Sequence, residues 1–577
     1  MGKKVKYILA KRKIMERKVT MNSVKRKVKS ITINKLSQTQ RCRNEIYSAL
    51  KILLSKNYKK YDLETSIDEN DIKYMTDENF QSSLFKINEK SKKQKNNGVY
   101  YTSDDVARYI ICNSLLMKVE TDLNQTHNDE NCIEFLRNLN KREKNNILYK
   151  YTIFDPTCGT GEFLINAINI KLEILKNEGI TDEIIFKIVK TIYGNDIDDE
   201  SIDICKLRIF FSLIDKLQNQ KSYIKLAEII NERFFSIDYI QKSKKIKVKF
   251  DIIVGNPPYV EYGKYKKENK CELKNNFGNV YADVLKNSID MSNENTVLGY
   301  IIPLSYVATP RMSKIRKIIY ENAEKQFLLN FADRPDCLFT GVHQKLTILI
   351  FRLGDGNKEI YSSNYKHWYK EERKELLNGR EINKIKNYDI VNYIPKVGNK
   401  IEESIYKKVY TEKENNIYDS QEENGNEIYL NMRATFWIKA FTFNPGSNEY
   451  KIFRYNNEIY YFILCLLNSS LFWLYWTIIS DCWHITTKEL KHFILPNELL
   501  SNRIYMELYK KLEKKLEKTK KYIGSKQTSY EYKHKLCKDI IDEIDDCIGE
   551  VYKLNKKEIE YCKNFALKYR VSEGKND

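Results

Sequence analysis

The chain has 577 residues, and its 42% hydrophobic content is sufficient to bury the cores of several domains. Lys and Arg outnumber Asp and Glu by 99 to 78, and the resulting formal charge of +21 indicates a polyanionic partner. The 12 cysteines include no Cys-x-x-Cys pair and no regular spacing with the 6 histidines, which argues against a metal site or a disulfide framework. We therefore expect a cytoplasmic protein that holds no metal.

Residues 1–95 are basic and polar, and we expect them to be helical in pieces, with Lys-rich stretches at 3–29 and 86–95. These stretches can clamp the phosphates of a nucleic acid, and a solvated, partly disordered arm is an equally good interpretation. The apolar stretch Val5–Ala10 is interrupted by Lys6 and is too short for a signal peptide, so we expect none.

From about residue 96 to 355, strand-like and helix-like segments alternate, which predicts an α/β domain with a mostly parallel sheet covered by helices. Ligands bind such sheets at the carboxyl ends of the strands. A strand predicted at Tyr151–Phe154 leads into a glycine loop, residues 155–161, and then into a helix at 162–175. Glycines allow the backbone to approach a ligand closely, and a helix N-terminus offers N–H groups to a carboxylate or phosphate.

The next predicted strand, Lys190–Gly194, places Asp196 just beyond its carboxyl end. An acidic side chain at this position can bind both ribose hydroxyls of a nucleoside cofactor. Asp198 or Asp199 precedes the helical stretch 202–213 and is the expected N-cap of that helix. Asp196 can bind a ligand while Asp198 or Asp199 caps the helix, so the two interpretations are compatible.

The apolar run Phe250–Gly255 is followed by four residues that we call the 256–259 tetrapeptide, Asn256-Pro257-Pro258-Tyr259. The side-chain oxygen of Asn256 and the carbonyl of Pro257 can each accept an N–H of a flat exocyclic amine, drawing its nitrogen toward tetrahedral geometry. The prolines hold the acceptors in place, and the Tyr259 ring can stack on a base taken out of its helix. An ordinary strand-ending loop is the alternative interpretation, because Asn and Pro are common in turns.

Three later strands are predicted at Val297–Ile302, Phe327–Phe331 and Leu346–Phe351. From about 356 to 500 the sequence is irregular and rich in aromatic residues, and we assign this region to target recognition. Its apolar segment Tyr460–Ser480 is interrupted at residues 468–470, so we predict a buried helix and no membrane partner. Residues 501–577 are expected to be helical, with an apolar packing face at Ile540, Ile544, Ile548 and Val551.

Taken in order, these motifs resemble those of the gamma-class amino-methyltransferases of DNA, in particular the TaqI-type N6-adenine methylases of restriction-modification systems. The glycine loop, Asp196-Ile197 and the 256–259 tetrapeptide each look like a family motif. Three more segments are similar to family motifs, namely Gly98–Thr102, Phe235–Asp238 and Leu338–Val342. The element Leu467–Ser470 also resembles one that is common in the DNA-recognition domains of such enzymes. Two residues depart from the family pattern: Ser103 stands where proline is usual, and Glu162 where a small residue is more usual.

The resemblance implies a Rossmann-like methyltransferase domain that uses S-adenosylmethionine, a helical N-terminal region and a C-terminal mixed α+β DNA-recognition region. The expected domains are residues 1–95, 96–355 (catalytic), 356–500 (recognition) and 501–577 (helical). The implied cofactor-binding residues are Tyr101, Thr102, Asp155, Thr157, Gly159, Gly161, Asp196, Ile197 and Asp238. The implied catalytic residues are Asn256, Pro257, Pro258, Tyr259 and Phe339, the last as a second aromatic wall for the flipped base.

We therefore expect site-specific methylation of adenine N6 in double-stranded DNA by base flipping, as the modification component of a restriction-modification system. Asn at the first position of the tetrapeptide favours adenine N6 over cytosine N4 in enzymes of this type. Three alternatives stay open: an RNA or protein amino-methyltransferase, a bifunctional restriction-methylation enzyme, and a non-catalytic DNA-specificity subunit. The long region after residue 356 disfavours an RNA or protein methyltransferase, and the lack of a nuclease-like acidic cluster in residues 1–95 disfavours a bifunctional enzyme. The intact motifs disfavour a non-catalytic subunit. Whether a separate restriction endonuclease accompanies the protein also stays open.

Overall fold

The computed structural model describes residues 40–55 and 102–571, apart from residues 121, 176–177, 270–274, 340–341, 387–391 and 525–528. The Lys-rich stretches at 3–29 and 86–95 and the motif residue Tyr101 lie outside the described residues. The described part is a mixed α/β fold built on one large sheet, which confirms the predicted fold class.

The central sheet has nine strands. In chain order they are β1 (Ile153–Asp155), β2 (Ile192–Asp196), β3 (Phe234–Ser236), β4 (Ile252–Gly255), β5 (Val297–Pro303), β6 (Ala323–Phe331), β7 (Leu346–Leu353), β8 (Glu359–Lys366) and β9 (Asn383–Lys384). Their spatial order is β3-β2-β1-β4-β5-β7-β6-β8-β9. Strands β7 and β9 run antiparallel to the other seven, so the sheet is mostly parallel, as predicted.

Helices cover this sheet and form most of the C-terminal part. The described α-helices are α1 (Gln40–Leu53), α2 (Asp104–Val119), α3 (Asp129–Asn138), α4 (Lys141–Tyr149), α5 (Glu162–Ile174), α6 (Asp182–Val189), α7 (Asp199–Leu213), α8 (Ser222–Arg233), α9 (Tyr239–Lys242), α10 (Tyr262–Asn269), α11 (Val280–Asp290), α12 (Ser305–Ala308), α13 (Ser313–Asn322), α14 (Lys400–Val409), α15 (Tyr460–Asn468), α16 (Ser470–Ile479), α17 (Thr487–Lys491), α18 (Asn502–Thr519), α19 (Lys538–Val551), α20 (Lys556–Asn564) and α21 (Leu567–Arg570). Helix α1 packs against α8, and α2 packs against α5 and against strands β4, β5 and β7.

Strand β4 shows why the centre of this sheet has no solvent face. Its four residues, Ile252 to Gly255, are all buried, as expected for a strand with helices on both sides. The chain passes from β1 to β2 in one direction along the sheet and from β4 to β5 in the other, and connections of the usual right hand then place α5 and α11 on opposite faces. Pro257 then ends the strand because it has no N–H to donate to a neighbour.

The sheet continues past residue 355, where we expected the catalytic domain to end. Strand β8 pairs with β6 and also with β9. Its centre is polar, because Ser362 and Ser363 are fully buried and hydrogen-bond to Asn330 of β6. Buried serines that are satisfied by a distant partner give no apolar periodicity, so this strand was missed in the sequence.

The C-terminal part contains a smaller sheet and a bent pair of helices. The sheet is antiparallel, with β11 (Ala440–Phe441) and β12 (Tyr450–Tyr455) on either side of β10 (Asn426–Asn431), and a two-stranded hairpin joins β13 (Lys521–Tyr522) to β14 (Tyr530–Glu531). The apolar segment at 460–480 forms two buried helices, α15 and α16, bent by 65° at Ser469, rather than the single helix predicted. Within the described ranges, no individual helix is long and apolar enough to span a membrane. The helices α15 and α16 reach that length and apolarity only when they are counted as one segment.

Candidate functional site

Three motif residues meet where the strand order changes direction. Strand β1 lies between β2 and β4, so the carboxyl ends of these strands are adjacent. Asp155 ends β1, Asp196 ends β2, and Asn256 directly follows β4. Open parallel sheets bind ligands at this kind of position. The fold thus brings together the glycine loop, Asp196 and the 256–259 tetrapeptide.

The glycine loop has the backbone conformation that its sequence requires. Gly159 and Gly161 have φ angles of +52° and +89°, in the left-handed region that favours glycine. A Cβ at Gly161 would collide with the thiol of Cys205, whereas a Cβ at Gly159 would meet nothing within 4 Å. The loop is joined to β2 because the N–H of Gly159 donates to the Asp196 carboxylate at 2.8 Å. The loop therefore presents an open backbone face beside an acidic side chain.

Two carboxylates at these strand ends have raised pKa values. Burial raises the pKa of Asp155 well above its usual range, and the nearby charge of Asp196 adds to the effect. Burial also raises the pKa of Asp196, to about 6, even though backbone N–H groups hydrogen-bond to it. The neighbouring charges that raise these pKa values further, Asp196 beside Asp155 and Asp198 beside Asp196, are acidic. The pair therefore suits a ligand that carries a positive charge or several hydroxyl donors.

Other expected cofactor contacts surround this pair. The hydroxyl of Thr157 is buried and has no hydrogen-bond partner within the described ranges, which is unusual for a buried polar group. Ile197 is 58% exposed, an unusual exposure for an aliphatic side chain beside a cleft. Thr102 is buried just before α2. Asp238 caps the short helix α9, because one of its carboxylate oxygens accepts the N–H groups of Ile240 and Gln241 at 3.0 and 3.1 Å.

The two departures in the sequence have local partners. The Glu162 carboxylate accepts a hydrogen bond from Arg208 at 3.0 Å, and both side chains are nearly buried, so the ion pair offsets the acidic charge beside the glycine loop. Ser103 precedes α2 but does not cap it with its hydroxyl, which instead accepts from Arg373 at 2.7 Å. Cys158 is a packed residue, and burial raises the pKa of its thiol.

Sequence reasoning missed Asn195, which joins three parts of the site. This fully buried side chain donates to the carbonyls of Pro156 and Ile237 at 2.9 and 3.0 Å and accepts the N–H of Ile237 at 3.1 Å. It thereby holds the glycine loop and the segment before Asp238 against the end of β2. A polar amide within an apolar strand end was the available signal, because buried amides occur where their hydrogen bonds are satisfied.

The 256–259 tetrapeptide sets an aromatic ring opposite Phe339. The rings of Tyr259 and Phe339 are close to parallel, with an interplanar angle of 22° and centroids 6.4 Å apart. The Tyr259 hydroxyl donates to the carbonyl of Ile301 at 2.8 Å, and the Tyr259 and Tyr281 rings form a T-shaped contact with an interplanar angle of 86°. Both predicted aromatic walls thus lie at the same place, and one of them is held in orientation by its own hydrogen bond.

Comparison with known proteins relates the centre of the chain to DNA-modifying enzymes. Residues 190–337 match the family described as Eco57I restriction-modification methylase. The type II restriction enzyme and methyltransferase RM.Eco57I of Escherichia coli is 25% identical over 279 residues, which are 39% of this chain and 27% of that protein. The type II methyltransferase M.BstVI of Geobacillus stearothermophilus is 24% identical over 194 residues, 32% of this chain and 34% of that protein. The chain therefore spans about a third or less of the length of these relatives.

A solved structure shares the fold over most of the chain. The Type IIL restriction-modification enzyme MmeI, solved in complex with DNA, has a TM-score of 0.52 and 15% identity, covering 92% of this chain and 90% of that one. At this identity the likeness concerns the fold alone. Residues 190–337 thus match the Eco57I restriction-modification methylase family, and they lie within a mixed α/β fold that is similar to the fold of MmeI.

Proposed function

We propose that this protein methylates the N6 amine of adenine at a specific site in duplex DNA, using S-adenosylmethionine, as the modification component of a restriction-modification system. The observation that carries the proposal is the pair of facing rings, Tyr259 and Phe339, directly beside Asn256. This arrangement suits a flat base that has been taken out of the helix. The match to a methylase family supports the same reaction class.

The ring pair has dimensions that suit a nucleobase. Its centroid separation of 6.4 Å is close to twice the ~3.4 Å stacking repeat of bases along DNA, which is the separation that a base held between two parallel rings would require. Aromatic faces tolerate every base, so stacking alone does not select adenine. Selection requires hydrogen bonds to the base edge, and the 256–259 tetrapeptide supplies the acceptors for them.

The tetrapeptide acts on the amine through hydrogen bonding. The amine lone pair is delocalised into the ring, and no side chain needs to remove a proton before methyl transfer. The nitrogen bonds to the methyl carbon as the sulfur–methyl bond breaks, and one N–H proton then leaves to solvent. The Asn256 side-chain oxygen and the Pro257 carbonyl accept the two N–H groups, which favours a tetrahedral nitrogen and stabilises the charge that develops on it. Pro257 and Pro258 keep these acceptors fixed, so little reorganisation is needed as the reaction proceeds.

The strand ends fit the proposed cofactor. S-adenosylmethionine supplies an activated methyl group on a positively charged sulfur. Asp196 would bind the ribose hydroxyls, and Ile197 would pack on the adenine ring. Asp155, Thr157 and Gly159 would lie around the methionine part, whose ammonium group complements the acidic charge there. We extend the proposal to Tyr101, Thr102, Gly161 and Asp238, which resemble cofactor contacts by motif.

The recognition region is also part of the proposal. We propose that it begins after β9 and extends to about residue 500, because the central sheet continues to residue 384. Residues 501–577 would support it as a helical layer, and the basic residues of 1–95 would contact the DNA backbone. A cytoplasmic location follows from a DNA substrate in a cell that carries restriction-modification systems.

The first test is mass spectrometry of nucleosides from unmethylated DNA incubated with the protein and S-adenosylmethionine. We expect N6-methyladenine with the wild type and none with Asn256→Ala, while cofactor affinity measured by calorimetry stays within about twofold. Asn322→Ala, at an exposed helix end, is the control for removing an amide, and it should methylate normally. N4-methylcytosine in place of N6-methyladenine would reassign the acceptor. Methylation of DNA by Asn256→Ala would contradict the proposed mechanism.

A further inference from the structure

Arg373 connects two segments that are distant in the sequence and adjacent in the site. It lies on the 3₁₀ turn Lys370–Glu375, beyond the expected end of the catalytic domain. Its guanidinium binds both carboxylate oxygens of Asp105 at 2.7 and 3.0 Å and donates to the Ser103 hydroxyl at 2.7 Å. It also donates to the carbonyls of Cys337 and Leu338 at 3.3 and 3.1 Å.

The hydrogen-bond partners of Arg373 lie next to two parts of the proposed site. Ser103 and Asp105 begin helix α2, directly after Thr102 of the cofactor motif. Leu338 directly precedes Phe339, the ring that faces Tyr259. One planar cation therefore holds the start of the cofactor-side helix and the base-side aromatic residue in fixed relation. Arginine is suited to this task because its donors form a rigid fork, and lysine cannot make the same set of bonds.

The electrostatics agree with a tight contact. Burial alone would raise the pKa of Asp105, yet the hydrogen bonds and charge of Arg373 bring the pKa below its ordinary value. The carboxylate is therefore ionised at neutral pH and stays paired with Arg373. The pair is partly exposed, with 24% of the Arg373 side chain and 41% of the Asp105 side chain accessible to solvent.

The residue that departs from the family pattern takes part in the contact. Ser103 has φ −71° and ψ 152°, a conformation that proline also adopts, so the backbone here does not require serine. Its hydroxyl does not cap α2; it accepts a hydrogen bond from Arg373 and also hydrogen-bonds to the Asp105 carboxylate, which helps to lower the pKa of Asp105. Serine at this position therefore supplies a partner for Arg373 that proline cannot supply.

The turn that carries Arg373 is itself anchored to the C-terminal end of the described chain. Glu372 accepts a hydrogen bond from the Tyr569 hydroxyl at 2.9 Å and forms an ion pair with Lys568 at 2.5 Å. The Tyr369 hydroxyl donates to the carbonyl of Lys568 at 3.1 Å. Helix α21 thus anchors the turn that carries Arg373, so the position of the arginine is fixed.

We propose that Arg373 is a positioning residue that holds Phe339 opposite Tyr259 and fixes this wall to the cofactor side of the site. The proposal rests on the proposed function for its effect on methylation, whereas the physical link itself does not depend on that function. It predicts that Arg373 and Phe339 act as one unit in the reaction. Residues that act as a unit give non-additive effects when both are changed.

The test is a double-mutant cycle on the methylation rate at saturating DNA and cofactor. We expect Arg373→Ala and Phe339→Ala each to lower the rate about tenfold, and the double variant to lose only about twentyfold rather than ~100-fold. Arg373→Lys keeps the charge and guards against a folding defect, and it should lose part of the same rate. Additive losses in the cycle would overturn the proposal.

Arg108→Ala is the matched control. Arg108 lies on α2, the helix that also carries Asp105. It makes a bidentate pair with Glu173 at 2.9 and 3.0 Å, and the exposure of this pair, 16% for the arginine and 39% for the glutamate, is similar to that of Arg373 and Asp105. Its partner lies on α5, far along the chain from Phe339, so Arg108→Ala should combine additively with Phe339→Ala. Non-additivity of the same size in the control cycle would show a general loss of stability, and it would also overturn the proposal.

Hydrogen exchange separates this inference from the proposed function. In Arg373→Ala, amide exchange should speed up in peptides that cover residues 102–108 and 336–339, and in Arg108→Ala it should not speed up at 336–339. This readout requires no methylation. If the wild type methylates no DNA but the exchange pattern appears, the proposed function fails and the link stands. Unchanged exchange at 336–339 in Arg373→Ala would remove the link, whatever the enzyme does.

Discussion

The N–H of Gly159 donates a hydrogen bond to the carboxylate of Asp196 at 2.8 Å. The second oxygen of that carboxylate accepts the N–H of Asp198 at 3.0 Å. Asp196 is therefore held by backbone donors from the glycine loop and from the segment after β2, where the N–H of Ile197 also bonds to it. The side chain that we assign to ribose binding is oriented by the same glycine loop that would hold the rest of the cofactor.

Asp196→Ala should weaken cofactor binding. The substitution removes the carboxylate that would accept hydrogen bonds from the two ribose hydroxyls. We expect the affinity for S-adenosylmethionine to fall at least tenfold, or about 1.4 kcal/mol. Titration calorimetry measures this directly, and the rate at saturating cofactor should change little. Asp199→Ala, at an exposed site in the first turn of α7, is the control and should bind normally. Equal affinity in wild type and Asp196→Ala would refute the ribose role.

Cofactor affinity should depend on pH because of the same residue. Burial raises the pKa of Asp196 from 3.8 to about 6, so the carboxylate becomes protonated as the pH falls through 6. The ionised form is the better acceptor, so affinity should decrease below about pH 6, and Asp196→Asn should flatten this part of the profile. The sign for stability is opposite: between about pH 4 and 6 the folded state holds more protons than the unfolded state, so this group's contribution to stability falls as pH rises. Calorimetry between pH 5 and 8 checks the binding half.

The ring of Tyr259 should matter more than its hydroxyl. Tyr259→Phe keeps the ring and loses the hydrogen bond to Ile301, and we expect the methylation rate to stay within about threefold of wild type. Tyr259→Ala removes the stacking surface, which contributes roughly 1–3 kcal/mol per base, so the rate should fall about 10- to 100-fold. Initial rates on unmethylated DNA distinguish the two variants. Equal losses in both would assign Tyr259 to holding the loop rather than to stacking.

Asn195 should be important for stability. In Asn195→Leu, the carbonyls of Pro156 and Ile237 lose their donor in a buried site, and we expect a loss of roughly 1–3 kcal/mol in the free energy of unfolding. Asn195→Asp should be no better, since a carboxylate would face two carbonyl oxygens. Urea denaturation followed by circular dichroism measures both variants. A wild-type midpoint in Asn195→Leu would contradict the structural role.

The parts of the fold that could be predicted from the sequence are those with local signals. Strand β4 is a short apolar run ended by two prolines, and the helix after the glycine loop begins at Glu162, where it was predicted. The Asp198 cap was also predicted, and its carboxylate accepts the N–H of Ser201 at 3.1 Å. These features depend on neighbouring residues, so the sequence carries them.

The remainder depends on contacts between distant residues. Strand β8 has two buried serines whose partner, Asn330, lies more than 30 positions earlier, so its pattern reads as polar. The contact between Arg373 and Asp105 spans 268 positions. The bend between α15 and α16 was marked in the sequence by an interruption, but its 65° angle depends on packing. Tertiary packing overrides local propensity in these places.

The continuation of the sheet through β8 and β9 affects how the molecule can be divided. A fragment that ended at residue 355 would turn β6 into an edge strand and leave without partners the N–H and C=O groups of Lys325–Phe331 that now pair with β8. Long apolar edges of this kind recruit strands from other copies and lead to aggregation. Domain exchange between related enzymes should therefore join the chains beyond residue 384, where β8 covers β6, β9 pairs with part of β8, and the sheet stays intact.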